Sequence, residues 1–379
     1  MEQLREEKNL RKPRILVAPL DWGLGHATRC IPIIKELLEH ECEVFLAGEG
    51  DQQQLLQREF PQLPFLSLKG YRVKYARSAI GVLVSIIRQT HHILNAIRNE
   101  NAWLKNKIKE YEFDAVIADN RYGLHHFSIP CVFITHQLII KSPLGEWTEK
   151  ILQKRNYRFI SHFAQCWVPD EAGENNLAGE LSHPEKMPGV PLKYIGPLSR
   201  FHTSEKEAKK DHLLIILSGP EPQRTILKNK IIDELSHYNG TATVLRGRPS
   251  SGILIPSTNM IRFYNHLCAE ELLKEMEQAE YIISRCGYST IMDLAQLQKK
   301  SILIPTPGQT EQEYLARYLS KKQIAYCISQ KEFSLTAALK ESCRFSYKLP
   351  RQSDNNNLKK IIAEFFSSLP KRKSEGRTL

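Results

Sequence analysis

Residues 14–50 alternate in a way that few architectures accept. RILVAPL is a short apolar run, DWGLGH a glycine-rich loop, ATRCIPIIKELLEH a helix-like stretch, and ECEVFLAGEG a second apolar run ending in glycine. Strand, glycine loop, helix, strand is the opening of a doubly wound α/β domain. The pattern continues through PFLSLKG, long helical stretches to Tyr111, FDAVIADN and PCVFITHQ, with CWVPD and LKYIGP as the last strands of this half. TSEKEAKKD at 203–211 is a polar, charged break and reads as a linker. The unit then restarts with HLLIILSGP, RTILKNKIIDELSHY and TATVLRG, and runs on through MIRFYNHL, AEELLKEMEQAE, YIISRCG, STIMDLAQLQKK, SILIPTPG and TEQEYLARYLSKKQ. NLKKIIAEFFSSL reads as a final helix and PKRKSEGRTL as a disordered tail. At about 150 residues per domain, a chain of 379 residues holds two. The expectation is therefore an α/β protein with two Rossmann-like parallel-sheet domains, 1–202 and 203–350, followed by a helix and basic tail over 351–379.

Charge narrows the partners. Lys and Arg number 53 against 42 Asp and Glu, a net +11, which favours an anionic partner: nucleic acid, an anionic membrane face or a phosphate-bearing substrate. Hydrophobic residues at 41% and charged residues at 25% exclude collagen-like, disordered and disulfide-scaffold chains. The eight cysteines include no C-x-x-C pair, which argues against a zinc ribbon or thioredoxin-type site, and most lie in apolar runs, as buried thiols of a reducing compartment do. The N-terminal MEQLREEKNLRKPR lacks the apolar core of a signal peptide. The longest apolar stretch, AIGVLVSII at 79–87, is far short of the roughly 20 residues needed to cross a bilayer. A cytoplasmic protein is expected.

Three segments carry candidate chemistry. The first is GLGH, with Gly23, Gly25 and His26, at the end of the first strand, where ligands of such folds bind. GLGHAT is not G-x-G-x-x-G, so a dinucleotide site is not indicated. Glycines here let another molecule approach the backbone, and His26 is either a general base for a hydroxyl or a histidine at a helix start. Asp119 ends FDAVIAD and either meets His26 to fix its tautomer or starts the turn DNRYG. His136 in ITHQ, also at a strand end, touches an acceptor or is a satisfied core residue. The second segment is SRCGYSTIMD, in which a glycine turn at Gly287 leads into a helix. Its free N–H groups, with the hydroxyls of Ser289 and Thr290, suit a diphosphate. Asp293, one turn in, can accept both hydroxyls of a ribose, or Thr290 and Asp293 form a capping box. The third is PTPGQTEQEYLA, where Gln312 and Glu313 suit several sugar hydroxyls, or form an ordinary polar helix face. From Lys69 to Lys109 there are nine Lys/Arg against one acid. With the apolar run inside it, this segment suits an anionic membrane surface, or is a core helix with a solvated basic rim. No nucleic-acid recognition motif is present, and no Asp-x-Asp metal pair occurs.

These residues together resemble the GT-B glycosyltransferases, most closely family 28 of the peptidoglycan lipid-linked N-acetylglucosaminyltransferase type. The likeness is strongest from Ile261 to Ala316, where SRCGYSTIMDL and PTPGQTEQEYLA look like the nucleotide-sugar signature. It implies two domains facing a central cleft, the first on the acceptor side and the second binding the nucleotide sugar. It further implies ribose contacts for Asp293, diphosphate contacts for Gly287, Ser289 and Thr290, sugar-hydroxyl contacts for Gln312 and Glu313, and backbone contacts from Tyr264 to uracil. Arg200, in GPLSR at the hinge, would face phosphate. GLGHATRCIPIIKEL is similar to the first loop of the superfamily, which implies His26 as general base with Asp119 as partner. The rest of the first domain matches only loosely, and Gly23, Gly25 and His136 are expected on the acceptor side from their own positions at strand ends. The last helix would return to the first domain. Two departures stand out. SGPEPQ at 218–223 replaces the glycine-rich loop, and its prolines and glutamate make a poor phosphate cradle. Glu313 replaces a second glutamine, which leaves the sugar open. The implied activity is inverting, metal-independent transfer of a sugar from a UDP-sugar to a hydroxyl acceptor. No cofactor beyond that substrate is implied, and the expected location is cytoplasmic, with peripheral contact to the inner face of a membrane as an open alternative. A UDP-sugar 2-epimerase of the same fold, or a non-catalytic nucleotide-sugar-binding subunit, are the alternatives.

Overall fold

The computed structural model describes residues 11–71, 91–201, 208–247, 255–350, 356–370 and 372, and the backbone of 79–90. In chain order, β1 (Arg14–Pro19), α1 (Leu24–Glu39), β2 (Glu43–Gly48), α2 (Gly50–Glu59), β3 (Phe65–Ser67), α3 (Ala79–Tyr111), β4 (Ala115–Asp119), β5 (Cys131–Ile134), α4 (Glu146–Ile160), β6 (Gln165–Val168) and β7 (Leu192–Tyr194) build the first domain. Its seven strands are ordered β3-β2-β1-β4-β5-β6-β7 and pair in parallel. β8 (His212–Ile216), α5 (Gln223–Leu235), β9 (Thr241–Leu245), β10 (Ile261–Tyr264), α6 (Ala269–Gln278), β11 (Tyr281–Ser284), α7 (Tyr288–Gln296), β12 (Ser301–Leu303), α8 (Thr310–Lys321), β13 (Tyr326–Cys327) and α9 (Leu335–Arg344) build the second. Its sheet runs β10-β9-β8-β11-β12-β13, also parallel.

The central strands are continuous apolar runs because helices cover both faces of the sheet. Ile15, Leu16, Val17 and Ala18 of β1 are all fully buried. Ile15 and Val17 pack with Ile31, Ile34 and Leu37 of α1, while Leu16 and Ala18 face Leu104 of α3 and Phe133. The first of these cores does not stop at the domain boundary. It runs from α1 into Tyr288, Ile291 and Met292 of α7, and α1 packs against α7. The last helix, α10 (Asn356–Ser368), lies on the first domain. It packs on α1, places Phe365 edge-on to Trp167 and pairs Glu364 with Lys193 at 2.7 Å.

This topology decides where a site can form. In each sheet the strand order reverses once, between β1 and β4 and between β8 and β11, and such a reversal opens a crevice at the carboxyl ends of the strands. Pro19 stands opposite Asp119 at the end of the β1–β4 ladder. The GLGH loop and Asp119 thus leave the first sheet side by side. In the second, SGPEPQ after β8 and the turn after β11 do the same. Residues 72–78 and the side chains of 79–90 lie outside the described residues, and with them the apolar run of the basic segment. No helix among the described residues is long and apolar enough to cross a membrane. The eight cysteines are free, with Cys30, Cys42, Cys131, Cys166 and Cys286 buried.

Candidate active site

Gly23 caps α1 with φ 87° and ψ 170°, a left-handed conformation that side chains rarely adopt. That turn sends Leu24, Gly25 and His26 straight into the helix. Gly25 has a different reason to be glycine. A Cβ on it would lie 2.5 Å from Ser289 Oγ and 3.1 Å from Ser289 Cβ, so the first turn of α1 sits directly against the first turn of α7. The GLGH loop and the diphosphate-type helix start are therefore opposed across the domain boundary.

His26 and Asp119, 93 residues apart in sequence, meet here: His26 Nδ1 is 3.2 Å from Asp119 Oδ2. Between them stands Arg29, one turn further along α1, which sequence reasoning had missed. Arg29 Nε donates to Asp119 Oδ2 at 2.6 Å and Nη2 to Oδ1, while Nη2 also lies 2.8 Å from His26 Nδ1. Asp119 is fully buried. Burial alone would raise its pKa, but the Arg29 and His26 charges beside it hold the carboxyl well below the usual carboxylate range. Burial and then the Arg29 charge lower the pKa of His26, and Asp119 offsets this only in part.

His136 follows β5 and closes the site from the first domain. Its ring stacks on Tyr288 at 4.1 Å with 8° between the planes, and its Nε2 lies 2.8 Å from Glu311 Oε1. Glu311 is the second residue overlooked by the motif. Burial pushes its pKa up, but the hydrogen bond and charge of His136, with His26 and Arg29, leave it below its ordinary value. Tyr288 also donates its hydroxyl to the Pro169 carbonyl at 2.8 Å. The cleft beside His26 is thus bridged by Glu311–His136 and Tyr288–Pro169, and a substrate has to part these contacts to enter.

On the donor side, α7 begins at Tyr288 with Gly287 as its cap and no side-chain cap bond. This corrects the capping-box alternative: Thr290 lies within the first turn, and Asp293 does not serve the helix end. Asp293 instead accepts a hydrogen bond from Ser199 Oγ at 2.6 Å. Burial raises its pKa to about 6 against the partial relief of Arg200 and Ser199. A Cβ at Gly287 would meet open space, so this cap is accessible. Arg200 lies over the Phe201 ring at 4.8 Å, and its buried Nε has no partner among the described residues. Tyr264 ends β10, and its carbonyl accepts the Arg246 N–H at 2.9 Å. Gln312 and Glu313 are turned onto their own loop: Gln312 Oε1 accepts from Thr306 N–H and Glu313 Oε1 from Gly308 N–H, both at 2.9 Å. They fix the PTPG turn, while two other side chains of this helix start cross to the first domain: Glu311 to His136, and Thr310, whose Oγ1 donates to the Lys141 carbonyl at 2.8 Å.

Arg285 is a further buried cation, 2% exposed. Its partners are neutral: the carbonyls of Gln223, Ile304 and Pro305 and the Gln330 side chain. Burial lowers its pKa to about 10, and its Nε and Thr306 Oγ1 are both unsatisfied among the described residues. Both atoms lie beside Gly219 of the SGPEPQ loop. Among the described residues no group of three or more His, Cys, Asp or Glu is placed to hold a metal ion. A separate cavity of about 290 Å³, lined by Glu171, Leu177, Pro197 and Ala295 among others, includes none of these site residues.

Comparison with known proteins places the second domain in a known family. Residues 266–367, which hold α7, the PTPG turn and α8, match the model of the glycosyltransferase family 28 C-terminal domain. The chain is a glycosyltransferase whose C-terminal domain is of the family 28 type. Along 324 residues it is 22% identical to the UDP-N-acetylglucosamine–N-acetylmuramyl-(pentapeptide) pyrophosphoryl-undecaprenol N-acetylglucosamine transferase of Haemophilus ducreyi, covering 82% of this chain and 83% of that one. Solved structures share the GT-B fold. The kitacinnamycin glycosyltransferase superposes with a TM-score of 0.60 at 12% identity over 95% of this chain and all of that chain. Acinetobacter baumannii MurG gives 0.52 at 13% identity, covering 96% and 97%.

Proposed function

We propose that this protein transfers a sugar from a UDP-sugar to the hydroxyl of a lipid-linked acceptor, with inversion at the anomeric carbon. Support comes first from the opposition of two helix starts, read from the contact of Gly25 with Ser289. One presents a histidine–aspartate pair and the other an uncapped N-terminus. His26 takes the proton of the acceptor hydroxyl, and that oxygen attacks the anomeric carbon from the face opposite the leaving diphosphate. Charge then gathers on the departing UDP, where the N–H groups of α7, the hydroxyls of Ser289 and Thr290 and the Arg200 guanidinium receive it. Asp293 accepts the ribose hydroxyls. This assigns the leaving group to fixed dipoles and an arginine, so the reaction is metal-independent and uses no cofactor. The lipid-linked acceptor is proposed from the relatives, which act on an undecaprenol-linked substrate, and the net charge of +11 suits an anionic membrane face.

General base catalysis contributes about 10²–10⁴-fold. His26→Ala is expected to lose that much turnover while calorimetry shows UDP binding intact, and near-normal turnover would remove His26 from the mechanism. A thermal-shift series of nucleotide sugars identifies the donor, because a ligand of the native state raises the melting temperature by mass action. Indifference to every UDP-sugar sinks the donor assignment. Product anomers read by NMR test inversion, and turnover retained in EDTA tests metal independence.

A further inference from the structure

Arg29 occupies a place that a histidine–aspartate base has no evident need of. It is 2% exposed and aims its guanidinium at three partners: a fork on both oxygens of Asp119, His26 Nδ1 at 2.8 Å and His136 Nδ1 at 3.3 Å. A guanidinium has only N–H groups to offer. A donor facing Nδ1 requires a lone pair there, which sends the proton of a neutral imidazole to Nε2. His136 fits this rule at both ends, with Nδ1 toward Arg29 and Nε2 toward the Glu311 carboxylate. His26 is pulled two ways. Asp119 Oδ2, at 3.2 Å, accepts from an Nδ1–H and leaves Nε2 bare, which is the form a base needs. Arg29 demands the reverse. The two arrangements exclude one another. Arg29 has the shorter contact with Nδ1, and it already satisfies the charge of Asp119.

We propose that Arg29 is a positioning residue that decides which nitrogen of His26 carries the proton, and that in the substrate-free cleft it keeps Nδ1 bare and Nε2 protonated, so that the base is switched off. The proposal rests on the reading of His26 as the base. Switching on requires the guanidinium to leave Nδ1 and Asp119 to take up an Nδ1–H, the imidazole proton moving from Nε2 to Nδ1 by exchange with solvent. The contacts Glu311–His136–Arg29–His26 run without a break from α8 of the second domain to α1 of the first. Parting the domains for substrate therefore disturbs the anchor of Arg29 at the same moment. The charged and titratable groups around His26 are Arg29 and Cys30 on α1, Asp119 on β4, His136 after β5, Tyr288 on α7 and Glu311 on α8. Of these, Arg29 is the cation in direct contact with the ring.

The test uses full-length protein labelled with 15N-histidine, read by long-range 1H–15N correlation NMR, with His26 assigned from the His26→Gln spectrum. Ligand-free wild type is expected to show a bare Nδ1 and a protonated Nε2 at His26. Arg29→Gln is expected to move the tautomer ratio toward Nδ1–H by about tenfold or more. It also removes a positive charge beside the ring, so the acid limb of the kcat profile is expected to move up by about one pH unit. Arg29→Lys keeps a charge against Asp119 without the fork, and guards against a variant that does not fold; it is expected to move the ratio the same way. An Nδ1–H at His26 in the wild type overturns the proposal without any variant. So does an unchanged tautomer in a folded Arg29→Lys protein. If His26→Ala transfers sugar normally while the tautomer still follows Arg29, the base assignment falls and the control by Arg29 stands.

Discussion

Asp293→Asn is expected to make the protein more stable and less able to hold UDP, and the size of the first effect follows from burial. Burial raises the Asp293 pKa from its ordinary 3.8 to about 6, even with Arg200 and Ser199 nearby. Between those two values the folded protein keeps a proton that the unfolded chain has released, so stability falls as pH rises through that window and the full cost applies above about pH 6. A rise of about two pH units corresponds to roughly 3 kcal/mol, an upper figure for a side chain that is partly solvent-accessible. An amide carries no such cost, and its oxygen still accepts the Ser199 hydroxyl that now sits 2.6 Å from Oδ1. Chemical denaturation of both proteins at pH 8 is expected to show the variant more stable by roughly 2 kcal/mol, a melting temperature higher by about 2–3 °C. At pH 4 the gain is expected to vanish. Calorimetry at pH 8 is expected to show UDP binding weakened about tenfold, because the ribose hydroxyls lose a charged acceptor. In the wild type, UDP affinity falls below about pH 6 as Asp293 takes up its proton. A variant no more stable at pH 8, or equally stabilised at pH 4, would refute the claim that a buried carboxylate charge is the cause. Unchanged UDP affinity would refute the ribose contact.

Two further perturbations probe the closed cleft. Gly25→Ala adds a methyl 3.1 Å from Ser289 Cβ, which no rotamer change avoids. Overpacking of this kind costs about 1–3 kcal/mol, so kcat/KM is expected to fall roughly 5- to 150-fold. The better helix propensity of alanine, worth about 1 kcal/mol, keeps overall stability close to wild type. Ser289→Gly on that background is expected to restore turnover in part, and a Gly25→Ala enzyme with normal kcat/KM would show that the two helix starts do not meet in the working state. Glu311→Gln keeps an acceptor for His136 but removes the charge from a partly exposed cross-domain contact. Because a substrate has to part this contact to enter, the variant is expected to raise kcat/KM by up to about fivefold, consistent with a contribution near 1 kcal/mol. Because the Glu311 pKa is depressed, the wild-type contribution is complete above its ordinary value near 4.5 and is lost as the pH falls below it. A pH-independent difference between the two proteins would contradict this.

The fold was legible because parallel strands buried on both faces must be short apolar runs. RILVAPL, FDAVIAD, HLLIILS and YIISR announce themselves by that alone, and the glycines that follow them mark the crevice edge of each sheet. The pairing of Pro19 with Asp119 is what turned a plausible meeting of His26 and Asp119 into a contact. Strand order was not written in any one segment, but a doubly wound sheet has few orders to choose from. The helix start at Tyr288 was harder to place. Its cap is a glycine with no side-chain bond, so Thr290 and Asp293, at a spacing that suits a capping box, pointed three residues too far along the chain. The spacing was real, but the side chain of Asp293 had been recruited by Ser199 from the hinge, 94 residues away.

Arg29 and Glu311 were invisible for a different reason. Arg29 sits one turn from His26 and Glu311 directly before Gln312, each on an amphipathic helix where an arginine or glutamate is the ordinary solvated choice. What distinguishes Arg29 is burial, with α7 of the other domain lying on the first turn of α1; what distinguishes Glu311, which stays partly exposed, is its bond to His136 across the boundary. Arg29 then has to find a carboxylate, since an unpaired buried guanidinium is too costly, and the one at hand is the partner of the proposed base. Gln312 and Glu313 show the converse. Their spacing suited a sugar, and the structure adds a second role that the spacing did not show, bonds to the Thr306 and Gly308 N–H groups of their own turn. A motif read along one chain finds residues that act within their own element; those that act across a cleft become recognisable only once the second domain decides which faces of the first remain wet.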